Sequence, residues 1–338
     1  MATTRRFGVF AFGKQSALGT PLANPTFAVP KLSGAMKPLK ERGDLPRLGT
    51  VLTRLGMYTQ RARGEGTITI LAHPEEIGLL LYEAMGAQAV SGAGPFVHTF
   101  TMADSPPQAN PMTVWSKVGD SWWRFRDTFV SRLSIQGSTG ENVQLEMDLL
   151  SFHYNPSAAP TLPGGEPADE EPRLKYIGST TQLEANSATP VTLTNVENVA
   201  LEIDRAPELR YGAQVNPSTY SPDRLVSFSA GMVYDSTQQG WDFLEQFFTG
   251  TVGGAGTGPD QGIARGSFDI LLGKHPSSYA GSLRMQSNGA NWEYETERPD
   301  AEASPSLLEL EMNGPLVHPD TGTTETTLVL TNDQAGAY

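Results

Sequence analysis

Apolar and polar residues alternate with a period of two in many short runs along this chain, and follow a helical period in only two places. The clearest case is residues 64–86. Thr67, Ile68, Thr69, Ile70 and Leu71 are β-branched or apolar and read as a strand. Pro74 then fits the first turn of a helix, with Glu75 and Glu76 at the positive end of its dipole. Ile77, Leu80, Leu81 and Ala84 fall on one face of that helix, and Gly86 supplies its stop.

Further strands are expected at residues 27–29, 96–102, 112–117 and 122–130, with a Gly-rich turn at 88–95. Residues 130–136 and 142–153 flank the turn Ser138-Thr139-Gly140-Glu141 as a hairpin. In its second strand Val143, Leu145, Met147 and Leu149 share one face, and Gln144, Glu146 and Asp148 share the other. Downstream, strands are expected at 191–194, 200–205, 225–234, 267–272, 282–286, 291–297, 307–312 and 323–331. A second helix is expected over 239–248, where Trp241 and Leu244 are packing residues.

Residues 156–172 carry five prolines, two glycines and four acids, the composition of a linker. They divide the chain into units 1–155 and 175–338 joined by a linker at 156–174. The units echo each other. Gly78 and Gly240 open runs of similar character, and Leu145-Glu146-Met147-Asp148 returns as Leu310-Glu311-Met312-Asn313. Charged stretches begin at Glu41 and again at Asp204. The offset is nearly the same in all three cases, which marks a duplicated plan.

Composition sharpens the fold class. With 35 glycines and 25 prolines in 338 residues, many short strands joined by turns are favoured over long helices. The expectation is a mainly β chain: two tandem β-sandwich or half-barrel domains, each with one flanking α-helix and long extended arms at 31–63 and 206–224. There are no cysteines, which excludes disulfides, thiolate zinc sites and cysteine nucleophiles. The net charge of −13 argues against clasping nucleic acid. No apolar run approaches the roughly 20 residues of a membrane helix. The first residues lack a signal-peptide pattern, and Phe7, Phe10 and Phe12 form an apolar arm that docks on its own domain or on a neighbouring subunit.

Candidate chemistry is sparse. His73, His98, His153, His275 and His318 show no metal-ligand spacing, and no nucleophile elbow, P-loop or dinucleotide fingerprint occurs. Gly253 to Gly258 is a Gly-rich loop. No catalytic, cofactor or metal residue is expected. Trp115, Trp122, Trp123 and Phe125 suit stacking on bases or sugars, or core packing. Glu146, Asp148, Glu309 and Glu311 suit a solvated strand face, a general acid/base set, or the wall of a channel.

The order of the motifs resembles the major tail tube proteins of long-tailed, non-contractile bacteriophages. The resemblance is carried by Gly13-Lys14-Gln15-Ser16-Ala17-Leu18-Gly19-Thr20, by Ile77-Gly78-Leu79-Leu80-Leu81 with Gly86, by Phe96-Val97-His98-Thr99-Phe100, and by the hairpin around Gly137-Ser138-Thr139-Gly140. Gln15 is a departure from the pattern, since many members of that family carry an acid near this place; it weakens the motif and not the fold. The resemblance implies a non-enzymatic virion tail subunit, assembled in the host bacterial cytoplasm into stacked rings whose strands form a continuous barrel. The lumen would hold a tape-measure protein and later pass DNA without specific binding, and tail terminator and tail tip proteins would cap the tube. Three copies would close a ring if both halves are tube domains, and six otherwise. Glu146, Asp148, Glu309 and Glu311 would be lumen-facing, and Ile77, Leu80, Leu81, Trp241 and Leu244 would pack the helices. Two competitors remain: a carbohydrate- or receptor-binding module of a baseplate or decoration protein, resting on Trp122-Trp123, and an acidic hydrolase using Glu146 with Asp148.

Overall fold

The computed structural model describes residues 8–46, 54–102, 111–118, 120–164, 173–176, 181–185, 191–193, 196–205, 208–210, 218–220, 225–234, 265–275, 281–291, 293–295, 308–315 and 326–338. The chain is mainly β. Its first half holds β1 (Gly8–Lys14), β2 (Phe27–Gly34), β3 (Lys37–Pro46), β4 (Arg54–Leu71), α1 (Gly78–Met85), β5 (Gly86–Ser91), β6 (Phe96–Met102), β7 (Met112–Val118), β8 (Ser121–Ser138) and β9 (Gln144–Ser157). Then follow β10 (Arg173–Lys175), β11 (Thr181–Ala185), β12 (Val191–Leu193), β13 (Val196–Asp204), β14 (Glu208–Arg210), β15 (Ser218–Tyr220) and β16 (Leu225–Tyr234). The last are β17 (Arg265–His275), β18 (Ser282–Asn291), β19 (Glu293–Glu295), β20 (Leu308–Pro315) and β21 (Thr326–Asn332).

One sheet closes on itself. β1, β2, β4, β9, β8 and β7 are each hydrogen-bonded to the next, and β7 returns to β1. A second sheet runs β12-β11-β17-β18-β21-β6-β5. Its last two strands come from the first half of the chain and the others from the second. Alternation places Ile68, Ile70, Leu133, Ile135, Leu145 and Met147 in the core, where Leu201, Ile203, Val226 and Phe228 join them. Phe10 and Phe12 are buried and stack on each other, so the apolar arm docks on its own chain.

The helix is shorter than the sequence pattern predicts. It begins at Gly78, and residues 74–77 form a turn in which the amides of Glu76 and Ile77 both donate to the His73 carbonyl. Glu75 and Glu76 therefore precede the helix and do not sit in its first turn. Gly86 ends it at φ 101°, a left-handed backbone that only glycine adopts at little cost. Ile77, Leu80, Leu81 and Ala84 are fully buried as expected, but so are Leu79 and Glu83. The helix lies between β8 and the β5–β6 pair, so its burial is all-round rather than one-sided. Each fully buried leucine contributes about 2 kcal/mol.

Three other expectations change. Residues 86–91 form an edge strand, so the Gly-rich turn is confined to 92–95. Among its described residues the arm at 31–63 is mostly strand rather than loop, with β3 paired antiparallel to β4, and the arm at 206–224 contains the short β14–β15 pair. The helix expected at 239–248, with Trp241 and Leu244, lies outside the described residues.

Candidate functional site: one polar sheet face across both halves

Seven antiparallel pairings join eight strands in the order β3-β4-β9-β8-β13-β16-β20-β19. The first four belong to the first half of the chain and the last four to the second. The junction is β8 with β13, where Ser134 faces Glu202, Ile135 faces Leu201 and Arg132 faces Asp204. One side of this ladder is the core already described.

The other side is polar. It carries Glu65, Thr67 and Thr69 on β4, Glu146 and Asp148 on β9, Arg132, Ser134 and Gln136 on β8, and Glu202 and Asp204 on β13. Period-two alternation sends each of these residues opposite to its buried neighbours. Arg132 sits at the centre. Its Nε donates to Glu202 Oε1 at 2.5 Å and its Nη2 to Glu202 Oε2 at 3.2 Å. Its Nη1 donates to Glu146 Oε1 at 3.3 Å and lies 3.7 Å from Asp148 Oδ2. Hydrogen bonding to Glu202 holds this guanidinium further above its usual range, and the nearby acids add to the effect. Thr67 Oγ1 donates to Asp148, and Ser131 Oγ donates to the Asp148 carbonyl. An open groove of about 520 Å³ runs along this face, lined by Glu65, Thr67, Arg132, Asp148 and Asp204.

Two of the four acids singled out in the sequence, Glu146 and Asp148, thus meet at one cation. Glu311 lies on β20 opposite both Gly231 and Glu295, and Glu309 lies opposite Val233. Sequence reading missed Arg132, Glu202 and Asp204. Nothing in a single strand signals which distant segment of the chain will become its neighbour.

Trp115 is buried, Trp122 packs beside it with Val9, Leu22 and Leu162, and Trp123 meets Tyr154 edge-on at 5.8 Å. Glu146 and Asp148 are ion-pair partners of Arg132 on an open face. Among the described residues no group of three or more His, Asp or Glu converges as a metal site. Among them, too, no helix is long and apolar enough to cross a membrane.

Gln15 is buried at the end of β1. Its Oε1 accepts from the Asp127 amide at 2.8 Å and from Thr113 Oγ1 at 3.0 Å, and its Nε2 donates to Asp127 Oδ1 at 2.9 Å. The Gly19 amide donates to the same carboxylate at 2.6 Å. Asp127 is held at φ 55°, an uncommon conformation for a non-glycine residue, within an irregularity of β8. The motif is a clamp that fixes the 15–19 loop to the barrel.

No curated protein matches the chain. A family model described as phage tail tube protein matches residues 8–277, from the first strand to just past β17 and across the β8–β13 junction. That span covers most of the chain, and the strand-rich fold with its clamp, helix and hairpin accords with it: the chain belongs to the phage tail tube protein family.

Proposed function

We propose that this protein is the repeating subunit of a tube built from stacked rings, with the polar face of the eight-stranded ladder turned to the lumen. The observation that carries this is the strand order. The series β3-β4-β9-β8 is followed, in the same sheet, by β13-β16-β20-β19, which repeats it strand for strand. On this reading residues 1–155 and 175–338 are tandem tube domains joined by the linker at 156–174. Each supplies one of six positions, so three copies complete a ring.

Glu146 and Asp148, with Glu309 and Glu311 on the corresponding strand of the second domain, would then line the passage. A net charge of −13 suits a wall past which DNA phosphates move without sticking. Ile77, Leu80 and Leu81 brace the first domain's sheet. The remaining partners follow from the role: a tape-measure protein inside during assembly in the host cytoplasm, and terminator and tip proteins at the ends. The role is structural and requires no catalysis.

Electron microscopy of the purified protein tests this. Rings of three two-lobed subunits are expected. Rings of six copies would remove the tandem-domain reading, and only monomers across salt and concentration would remove the tube.

A further inference from the structure

Among the described residues, β3 pairs only with β4 and β19 only with β20, so the eight-stranded ladder has an open edge at each end. Open edges are templates for further pairing. The ladder also contains a worked example of how one four-strand set joins the next, the β8–β13 seam. The registers make the correspondence between the two sets explicit.

Glu146 on β9 faces Ser134 on β8 and Thr69 on β4. Glu311 on β20 faces Glu295 on β19 and Gly231 on β16. Ser134 therefore corresponds to Glu295, and Thr69 to Gly231. One step of two pleats back along β4 and β16 are Glu65 and Ser227, which face Lys37 on β3 and Glu202 on β13. Lys37 therefore corresponds to Glu202. Within the chain, Ser134 faces Glu202 across the seam.

We infer that β19 of one copy pairs antiparallel with β3 of the next in this same register, setting Glu295 opposite Lys37 and Glu293 diagonal to it. The inference rests on the ring reading above and adds its joint. Charge supports it independently. At the internal seam the diagonal pair is Arg132 on β8 with Glu202 on β13. At the external seam the corresponding residues are Glu293 and Lys37, so both signs reverse and the attraction is kept. Lys37 is exposed in the single chain, at the edge that the acids of the neighbour would reach.

The reversal also supplies discrimination. If β8 were offered to β3 of another copy, Arg132 would meet Lys37. If β19 were offered to β13, Glu293 would meet Glu202. Both mismatches place like charges together, so each strand accepts one partner. The internal seam cannot open in favour of an external one without a charge penalty.

The chain has no cysteine, so introduced thiols report on their own positions. A double variant Lys37→Cys, Glu295→Cys, oxidised in assembled tubes, is expected to give a covalent ladder on non-reducing gels that ends at the closed ring. The off-by-one pair Lys37→Cys, Tyr294→Cys should not, because a slip of one position turns a side chain to the opposite sheet face. Lys37→Glu should raise the concentration needed for assembly about fivefold per seam. Adding Glu293→Lys and Glu295→Lys should restore it, which a mere folding defect would not allow. Rings that form while the designed pair stays uncrosslinked, or in which the off-by-one pair crosslinks instead, overturn the edge assignment and leave the ring reading standing. Absence of rings in the unmodified protein overturns both.

Discussion

Arg132 and Glu202, on strands from different halves of the chain, meet through two hydrogen bonds of 2.5 and 3.2 Å. The pair sits on the seam that makes two four-stranded sets into one sheet. Arg132 also pairs with Glu146 and Asp148, so a single cation holds three carboxylates on one open face.

Arg132→Ala should therefore cost more than an ordinary exposed ion pair, about 1–2 kcal/mol at low salt, because three acids lose their shared partner. Urea denaturation at low and at high ionic strength measures this. The cost should shrink as salt rises; an effect independent of salt would mean that the stem's packing, and not its charge, is what the seam uses.

Glu83 shapes the response to rising pH up to about 8. It is fully buried on α1, and burial pushes its carboxyl up to about 8, with Arg205 and Lys14 partly opposing the shift. Its two carboxyl oxygens have no hydrogen-bond partner among the described residues. The folded state binds this proton more tightly than the unfolded chain. The corresponding stability is complete below the ordinary glutamate range and is lost as pH rises to about 8, at up to about 1.4 kcal/mol per pH unit. Glu83→Gln should flatten the stability curve between about pH 6.5 and 8. An unchanged slope would show that Glu83 stays ionised in the fold.

His73 acts in the opposite direction. Burial first, and Arg173 second, lower its imidazole to about 4. The fold holds it neutral, so stability is present above the ordinary histidine value and lost as pH falls towards 4. His73→Leu should reduce the acid sensitivity below about pH 6.5, whatever its effect at neutral pH. The two slopes have opposite signs and offset each other between about pH 4.5 and 6.5, so thermal melts of each single variant against the unmodified protein separate them.

The clamp predicts that an acid is excluded at position 15. Gln15→Glu would lose the Nε2 donor and set a carboxylate against Asp127, at about 2–3 kcal/mol. Gln15→Glu combined with Asp127→Asn should recover most of that loss, since the amide and carboxylate then simply exchange places. If the single change is silent in chemical denaturation, the network does not hold the loop.

Gly78 tests the packing beneath the helix. A Cβ there would overlap the ring of Tyr338, which is buried against α1 and whose hydroxyl accepts from Asn332 Nδ2 at 2.6 Å. Helix propensity favours Gly78→Ala by about 1 kcal/mol, but the clash should win and leave a net loss of about 1–3 kcal/mol. Made in a Tyr338→Ala background, the same change should become neutral or stabilising. Additive losses in the double variant would place the strain elsewhere.

Much of this was legible along the chain. Period-two alternation located β6, β7, β16 and the core face of β9, because a half-buried strand must alternate whatever it pairs with. Gly86 marked the helix end because only glycine takes that backbone cheaply. Repeat spacing and motif order pointed to the family without reference to contacts. What only the tertiary structure decided was partnership. Alternation states that Glu146 and Asp148 are polar-face residues; the β8–β13 pairing is what brings Glu202 to the Arg132 they share. Pattern placed Ile77, Leu80 and Leu81 on one buried face; the surrounding fold also buries Glu83, beside Lys14 and Arg205 from distant parts of the chain, and shifts its proton. Local sequence sets the period of each element, because backbone geometry is local. Which edge meets which, and hence which charges must be complementary, depends on long-range registers that no single segment contains.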